Sequence, residues 1–161
     1  MSPRRKPRIG VCGPSEASAG VLALAEQVGA EIARQGGIVV CGGLGGVMEA
    51  AARGARTAGG LTVGILPGSS AEEANPFIDV PIVTGLGEAR NALVVHSSDA
   101  IIAIDGAYGT LSEIALALKM GVPVIGLGTW QLRAPDGSVP PIVPAQTPAE
   151  AVERAFAVIS R

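Results

Sequence analysis

In this chain of 161 residues, the stretch Asp105-Gly106-Ala107-Tyr108-Gly109-Thr110-Leu111-Ser112-Glu113 has the composition to hold an anion. The apolar run Ala100 to Ile104 precedes it, and Leu111, Ile114, Ala115 and Leu118 follow at the i, i+3, i+4, i+7 spacing of one helix face. A small-residue turn therefore opens a helix at the carboxyl end of a strand. The first N–H groups of such a helix lack internal partners and lie at the positive end of its macrodipole, so a phosphate or carboxylate is stabilised there without a lysine. Gly106, Ala107 and Gly109 let the main chain approach the anion closely. A purely structural role fits the same letters: in a capping box Thr110 accepts from the helix backbone and Glu113 reaches back to the cap residue's N–H.

Arg90 adds a second group of the right chemistry, early in the helix expected just before that strand. Its guanidinium presents a planar fork of donors to phosphate or carboxylate, in a stretch otherwise nearly free of charge. The alternative is an exposed arginine pairing with Glu88. Other chemistry is excluded. Starting from Gly43 and Gly45, the third position of a dinucleotide fingerprint is Met48, and no ribose-binding acid follows about twenty residues on. Neither Lys6 nor Lys119 follows a Walker-type loop, and there is no Gly-x-Ser-x-Gly elbow. The single histidine, His96, cannot build a His-based zinc site, and Cys12 and Cys41 lack metal spacing, so no metal and no resident cofactor are expected. His96 reads as a helix-end residue.

Positioning these groups requires an aliphatic α/β scaffold. Aromatic residues make up 2% of the chain and glycine occurs 23 times, which suits short buried strands and closely packed helices. The length matches one domain spanning 1–161, with 1–7 as a flexible tail carrying Arg4, Arg5 and Lys6, and with Arg8 in the same solvated basic cluster. A formal charge of −2 argues against nucleic acid as a partner. No apolar stretch is long enough for a membrane span and no secretion signal opens the chain, so a cytoplasmic protein with free thiols is expected.

Strands are expected at Arg8 to Cys12, Ile38 to Cys41, Leu61 to Leu66, Val80 to Val83, Ala100 to Ile104 and Pro123 to Leu127. Helices are expected between them: one carrying Val21, Leu24, Ala25, Val28 and Ile32 and stopped by Gly36-Gly37, then about Val47 to Ala58, Glu88 to Ser97 and Thr110 to Met120, with one more from Thr147 onward; 133–144 reads as loop. Continuous Val/Ile/Leu strands alternating with helices predict a doubly wound parallel sheet with helices on both faces. Ligands bind such sheets outside the carboxyl ends of the strands. Three glycine turns fall at that edge: Gly13-Pro14-Ser15, the run holding Gly42, Gly43, Gly45 and Gly46, and Gly106 to Gly109.

Together, Gly42-Gly43-Leu44-Gly45-Gly46-Val47-Met48, Arg90-Asn91 and Gly106 to Glu113 resemble the ordered motifs of the Lonely Guy family, often mislabelled lysine decarboxylases, over roughly Arg8 to Leu127. The resemblance implies a Rossmann-like homodimer or homotetramer that hydrolyses the N-glycosidic bond of nucleoside 5′-monophosphates. It further implies that the Gly106 to Thr110 turn binds the phosphate, with Arg90 and Glu113 attending the ribose and the bond being broken. Either role asks for an ionised or nearly ionised Glu113, a form that Arg90 and the helix amino terminus favour. A decarboxylase is not implied, because no lysine stands where a Schiff base would form. The family's Pro-Gly-Gly-x-Gly-Thr-x-x-Glu and Met-x-x-Arg-Lys patterns are altered: Asp105 replaces the proline, Ala107 a glycine, Gly87 the methionine and Asn91 the lysine. Arg-Asn with Leu-Ser-Glu is more similar to a sister branch that includes molybdenum-cofactor carrier proteins, which bind a pterin phosphate without turnover. Two functions therefore stay open, both with a phosphorylated small molecule as partner. Candidate site residues are Arg90 and Glu113 for catalysis. For binding they are Gly13, Ser15, Gly42, Gly43, Gly45, Gly46, Asn91, Asp105, Gly106, Ala107, Tyr108, Gly109 and Thr110.

Overall fold

The apolar runs become strands in the computed structural model, which describes residues 4–160. They are β1 (Arg8–Cys12), β2 (Ile38–Cys41), β3 (Thr62–Leu66), β4 (Val80–Val83), β5 (Ala100–Ile104), β6 (Val124–Leu127) and β7 (Ile142–Ala145). All neighbours pair in parallel, in the order β4-β3-β2-β1-β5-β6-β7. The helices are α1 (Ala19–Arg34), α2 (Val47–Thr57), α3 (Asn91–His96), α4 (Tyr108–Met120) and α5 (Pro148–Ile159). Val28 and Ile32 of α1, Ala51 of α2 and Val152 of α5 join the core on one sheet face; Val95 of α3 and Ile114 of α4 pack on the other. The fold is the expected doubly wound α/β sheet.

From β1 the chain winds outward through β2, β3 and β4, then returns past β1 to begin the opposite half at β5. The connections leaving β1 and β5 diverge, so the crevice beyond their carboxyl ends is the topological switch point. The Gly13 turn and the Gly106 to Gly109 turn flank it.

Several expectations need correction. Residues 133–144 were expected to be loop, but Ile142–Ala145 pairs with β6 as β7. Prolines at 140, 141 and 144 hide the signal, and an edge strand tolerates them because one side needs no N–H donor. The helix expected over 88–97 divides into a 3-10 turn, Gly87–Arg90, and the short α3. Gly85 and Gly87 take φ of 63° and 58°, which breaks the helix start. Ala115 is exposed; α4 buries Thr110, Glu113, Ile114 and Ala117 instead. Arg8 leaves the basic cluster to pair with Asp99 at 2.8 Å. Arg4, Arg5 and Lys6 are exposed without regular structure, and the rest of the expected tail, 1–3, lies outside the described residues.

The alanine-rich α2 is engaged within the chain. It meets α1 so closely that a Cβ at Gly29 would stand 1.9 Å from the Ala51 carbonyl oxygen. Cys12 and Cys41 are buried free thiols, and no helix among the described residues is long and apolar enough to cross a membrane.

Candidate functional site

Helix α4 begins two residues before the predicted Thr110, with Ala107 as its extended N-cap. Its first backbone bond runs from Leu111 N–H to Ala107 O at 3.0 Å, so the N–H groups of Tyr108, Gly109 and Thr110 have no partner within the helix. The capping box expected at Thr110-Leu111-Ser112-Glu113 is not formed: no side chain caps α4. Thr110 lies inside the first turn with its side chain buried, 2% exposed, and its hydroxyl oxygen has no hydrogen-bond partner. An unpaired buried hydroxyl is costly in a folded protein. At α5 the cap does form, with Thr147 Oγ1 accepting from Glu150 N–H at 3.1 Å, while Glu150 reaches back past the cap residue to accept from Gln146 N–H at 2.8 Å.

Arg90 is half-buried at the junction of the 3-10 turn and α3. Its Nη1 donates to Gly42 O and, at 2.8 Å, to Ile65 O, tying β2 and β3 to the α3 end. Gly42 makes this possible, because a Cβ there would lie 2.2 Å from Nη1. Burial lowers the Arg90 pKa from its usual value while Glu113 opposes the shift. Arg90 Nε is buried with no partner. The pairing with Glu88 is not formed.

Glu113 is 8% exposed, in the second turn of α4. Burial pushes its carboxyl up to about 7, against the Cys12 thiol and the Arg90 charge, which favour the ionised form. Burial thus works against the ionised form that Arg90 and the helix amino terminus favour. The helix dipole has faded by the second turn, and desolvation outweighs the guanidinium. Both cysteines at the ends of β1 and β2 are held as thiols: burial raises Cys12 well above its ordinary value, with Glu113 adding to the rise, and raises Cys41 to about 11.

These groups enclose a cavity of about 520 Å³ at the switch point. Of the predicted residues, Gly13 and Ser15 form one wall, Arg90 and Asn91 a second, and Ala107, Tyr108, Gly109, Thr110 and Glu113 a third. Gly42, Gly43, Gly45, Gly46, Asp105 and Gly106 do not line it. Gly46 packs against the Gly13 to Ser15 turn, where a Cβ would come within 2.3 Å of Pro14 O. Gly43 is anchored by Asn75, whose main-chain N–H donates to Gly43 O at 2.9 Å and whose side-chain amide reaches Leu44 O at 2.9 Å. Asp105 adopts φ 56°, uncommon outside glycine, and its carbonyl accepts from Thr129 Oγ1 at 2.6 Å. Gly106 leaves room for Trp130, whose Nε1 donates to Ala107 O at 3.1 Å.

Sequence reasoning missed Met48, Pro67 and Ser112 on the cavity wall, together with Asn75 and Trp130 behind it. Met48 and Ser112 stand inside the glycine-run and anion-turn motifs without a role assigned to them, and no motif marked Pro67, Asn75 or Trp130. Two hollows of about 610 and 620 Å³ lie beside α1 and α2 and beside β6 and β7. Among the described residues, the buried side-chain polar atoms without partners are Arg90 Nε and Thr110 Oγ1, and both residues line the switch-point cavity. Size alone would have chosen differently; the unmet hydrogen-bonding capacity singles out this one.

The SLOG cluster4 family model matches residues 6–152. A cytokinin riboside 5′-monophosphate phosphoribohydrolase of Mycobacterium tuberculosis is 41% identical over 129 residues, covering 74% of this chain and 68% of that protein. The molybdenum cofactor binding protein of Rippkaea orientalis superposes with a TM-score of 0.90 at 42% identity, covering 98% of this chain and 99% of that one. The molybdenum cofactor carrier protein of Chlamydomonas reinhardtii gives 0.85 at 36% identity, covering 98% and 100%.

Proposed function

The chain belongs to the SLOG cluster4 family, and from that premise we propose that it is a binding protein for a phosphorylated heterocycle, a carrier whose cargo is a pterin phosphate such as molybdenum cofactor. The phosphate sits against the N–H groups of Tyr108, Gly109 and Thr110, with the Thr110 hydroxyl donating to it. The single observation that carries this reading is the unpartnered Thr110 hydroxyl, buried in the first turn of α4 on a residue that lines the cavity. Oriented amides and a helix dipole hold an anion without reorganising, which suits retention of a ligand. Similarity to the two molybdenum-cofactor proteins supports the choice of cargo.

Arg90 favours carriage over hydrolysis. Its Nη1 is spent on two main-chain carbonyls, so it acts chiefly as a strut beneath the cavity. Asn91, on the cavity wall, offers an amide where the hydrolase pattern has a lysine. A second reading, hydrolysis of nucleoside 5′-monophosphates, has one observation in its favour: a Glu113 carboxyl held near 7 in the cavity wall is matched to general acid–base work. Similarity to the phosphoribohydrolase supports it.

Self-association as a dimer or tetramer belongs to the same proposal. Val80, Ile82 and Val83 on the edge strand β4 expose apolar surface that a second copy could cover.

Purifying the protein from cells that make molybdenum cofactor, then measuring molybdenum and the fluorescent pterin released by oxidation, tests the carrier. About one of each per chain is expected, and protein free of both contradicts it. Incubation with a panel of nucleoside monophosphates tests the other reading; free base accumulating over repeated turnovers establishes hydrolysis.

A further inference from the structure

The chain contains one tryptophan and one tyrosine, and the fold brings them together at the rim of the cavity. Tyr108, the first residue of α4, stacks on Trp130 from the loop after β6, with ring centroids 6.1 Å apart and planes inclined by 28°. Trp130 is fixed from behind. Its indole N–H donates to Ala107 O at 3.1 Å, and it rests on Gly106 where a Cβ would stand 2.7 Å from Nε1. Tyr108 is the contrary case: 84% of its surface is exposed, although it lines the cavity. A large aromatic side chain left open at a cavity mouth, backed by a second ring that is itself anchored, forms a stacking platform. Ordering the ligand against it costs little, because Trp130 already restricts the Tyr108 ring.

We propose that Tyr108, held by Trp130, stacks against the planar heteroaromatic ring of the bound ligand and makes the site select ring-bearing phosphates over simple sugar phosphates. This rests on the phosphate-site reading above and extends it, because the helix mouth recognises the phosphate alone and is indifferent to what the phosphate carries. Tyr108 contributes to both ends: its main-chain N–H belongs to the anion site, and its ring begins the surface that the heterocycle meets. Aromatic faces accept any π-system, so the platform provides class selectivity and leaves the choice between rings to the polar groups of the cavity wall.

The test compares two probes by isothermal titration on the full chain: guanosine 5′-monophosphate, whose guanine shares the aminopyrimidinone ring of pterins, and ribose 5-phosphate, which has no ring system to stack. Wild-type protein should bind the nucleotide at least tenfold more tightly. Tyr108→Ala should lose about tenfold in nucleotide affinity while ribose 5-phosphate affinity stays within twofold, and Tyr108→Phe should restore the nucleotide affinity. Trp130 fluorescence should change on adding the nucleotide to wild type and much less on adding it to Tyr108→Ala. Equal losses for both probes in Tyr108→Ala, or no loss for either, overturn the platform and leave the phosphate site standing. Failure of wild type to bind either probe overturns the phosphate-site reading and the platform with it.

Discussion

The guanidinium of Arg90 occupies the space that a side chain at Gly42 would fill. Nη1 donates to the Gly42 carbonyl, and a Cβ on that glycine would lie 2.2 Å from Nη1 and 2.8 Å from Met48 Sδ. A glycine immediately after a buried strand thus serves an arginine from another part of the chain, forty-eight residues away. Gly42→Ala should therefore act as an overpacking change. It is expected to cost roughly 1–3 kcal/mol, seen as a fall in Tm of several degrees, and to weaken binding of a phosphorylated ligand by displacing Arg90. Calorimetry that finds Gly42→Ala as stable as wild type would show that the strut is dispensable.

Thr110→Val separates a ligand site from a helix cap. The substitution keeps the shape and removes a buried hydroxyl that has no partner, so the ligand-free protein should keep or slightly raise its Tm. Affinity for guanosine 5′-monophosphate should drop about tenfold, the scale of one hydrogen bond to a charged group. A large loss of stability with unchanged affinity would return Thr110 to a structural role.

Glu113 sets a pH dependence of stability. Its folded value of about 7 lies above the ordinary 4.5, so the folded state holds a proton that the unfolded chain gives up at lower pH. The contribution is fully present below pH 4.5 and is lost as pH rises through 7, on the order of 3 kcal/mol in all. Glu113→Gln cannot titrate, so the Tm of ligand-free wild type minus that of Glu113→Gln should decline from pH 5 to pH 8. A difference that stays flat across that range would mean the carboxyl is already ionised at its base.

Much of this was legible in the residues themselves. The bounds of β1, β2, β4 and β5 follow from their Val/Ile runs, and Thr147-Pro148-Ala149-Glu150 does cap α5. The strand, turn and helix around Gly106 were legible too, because small residues between a buried apolar run and a helical stripe leave few alternatives. What the letters misstated concerns burial, which a local pattern does not encode. Thr110 to Glu113 has the same capping-box spelling as Thr147 to Glu150, yet α4 starts two residues earlier and turns both side chains inward. Whether Glu113 is charged depends on Cys12 and Arg90, brought beside it only by the fold. Trp130 sits in a loop without periodicity, so nothing in its neighbourhood announced that it backs Tyr108.

Asp105 illustrates the same point and can be tested simply. With φ at 56° it lies in the left-handed region, where a short polar residue is tolerated and a β-branched one is not. Asp105→Gly should stay within about 1 kcal/mol of wild type, and Asp105→Val should lose about 1–3 kcal/mol. Neither Asp105 nor its partner Leu127 lines the cavity, so Asp105→Gly should leave ligand affinity unchanged; a marked change in affinity would place the carboxylate in the site after all.

The most direct test of the central claim follows the main-chain amides at the mouth of α4 by NMR of isotope-labelled protein titrated with inorganic phosphate and then with guanosine 5′-monophosphate. The amide resonances of Gly109 and Thr110 should move with both, as their N–H groups take up the anion, and saturate at lower concentration with the nucleotide. Resonances of Gly109 and Thr110 that stay still while amides elsewhere respond would contradict the claim that this helix end holds the ligand's phosphate.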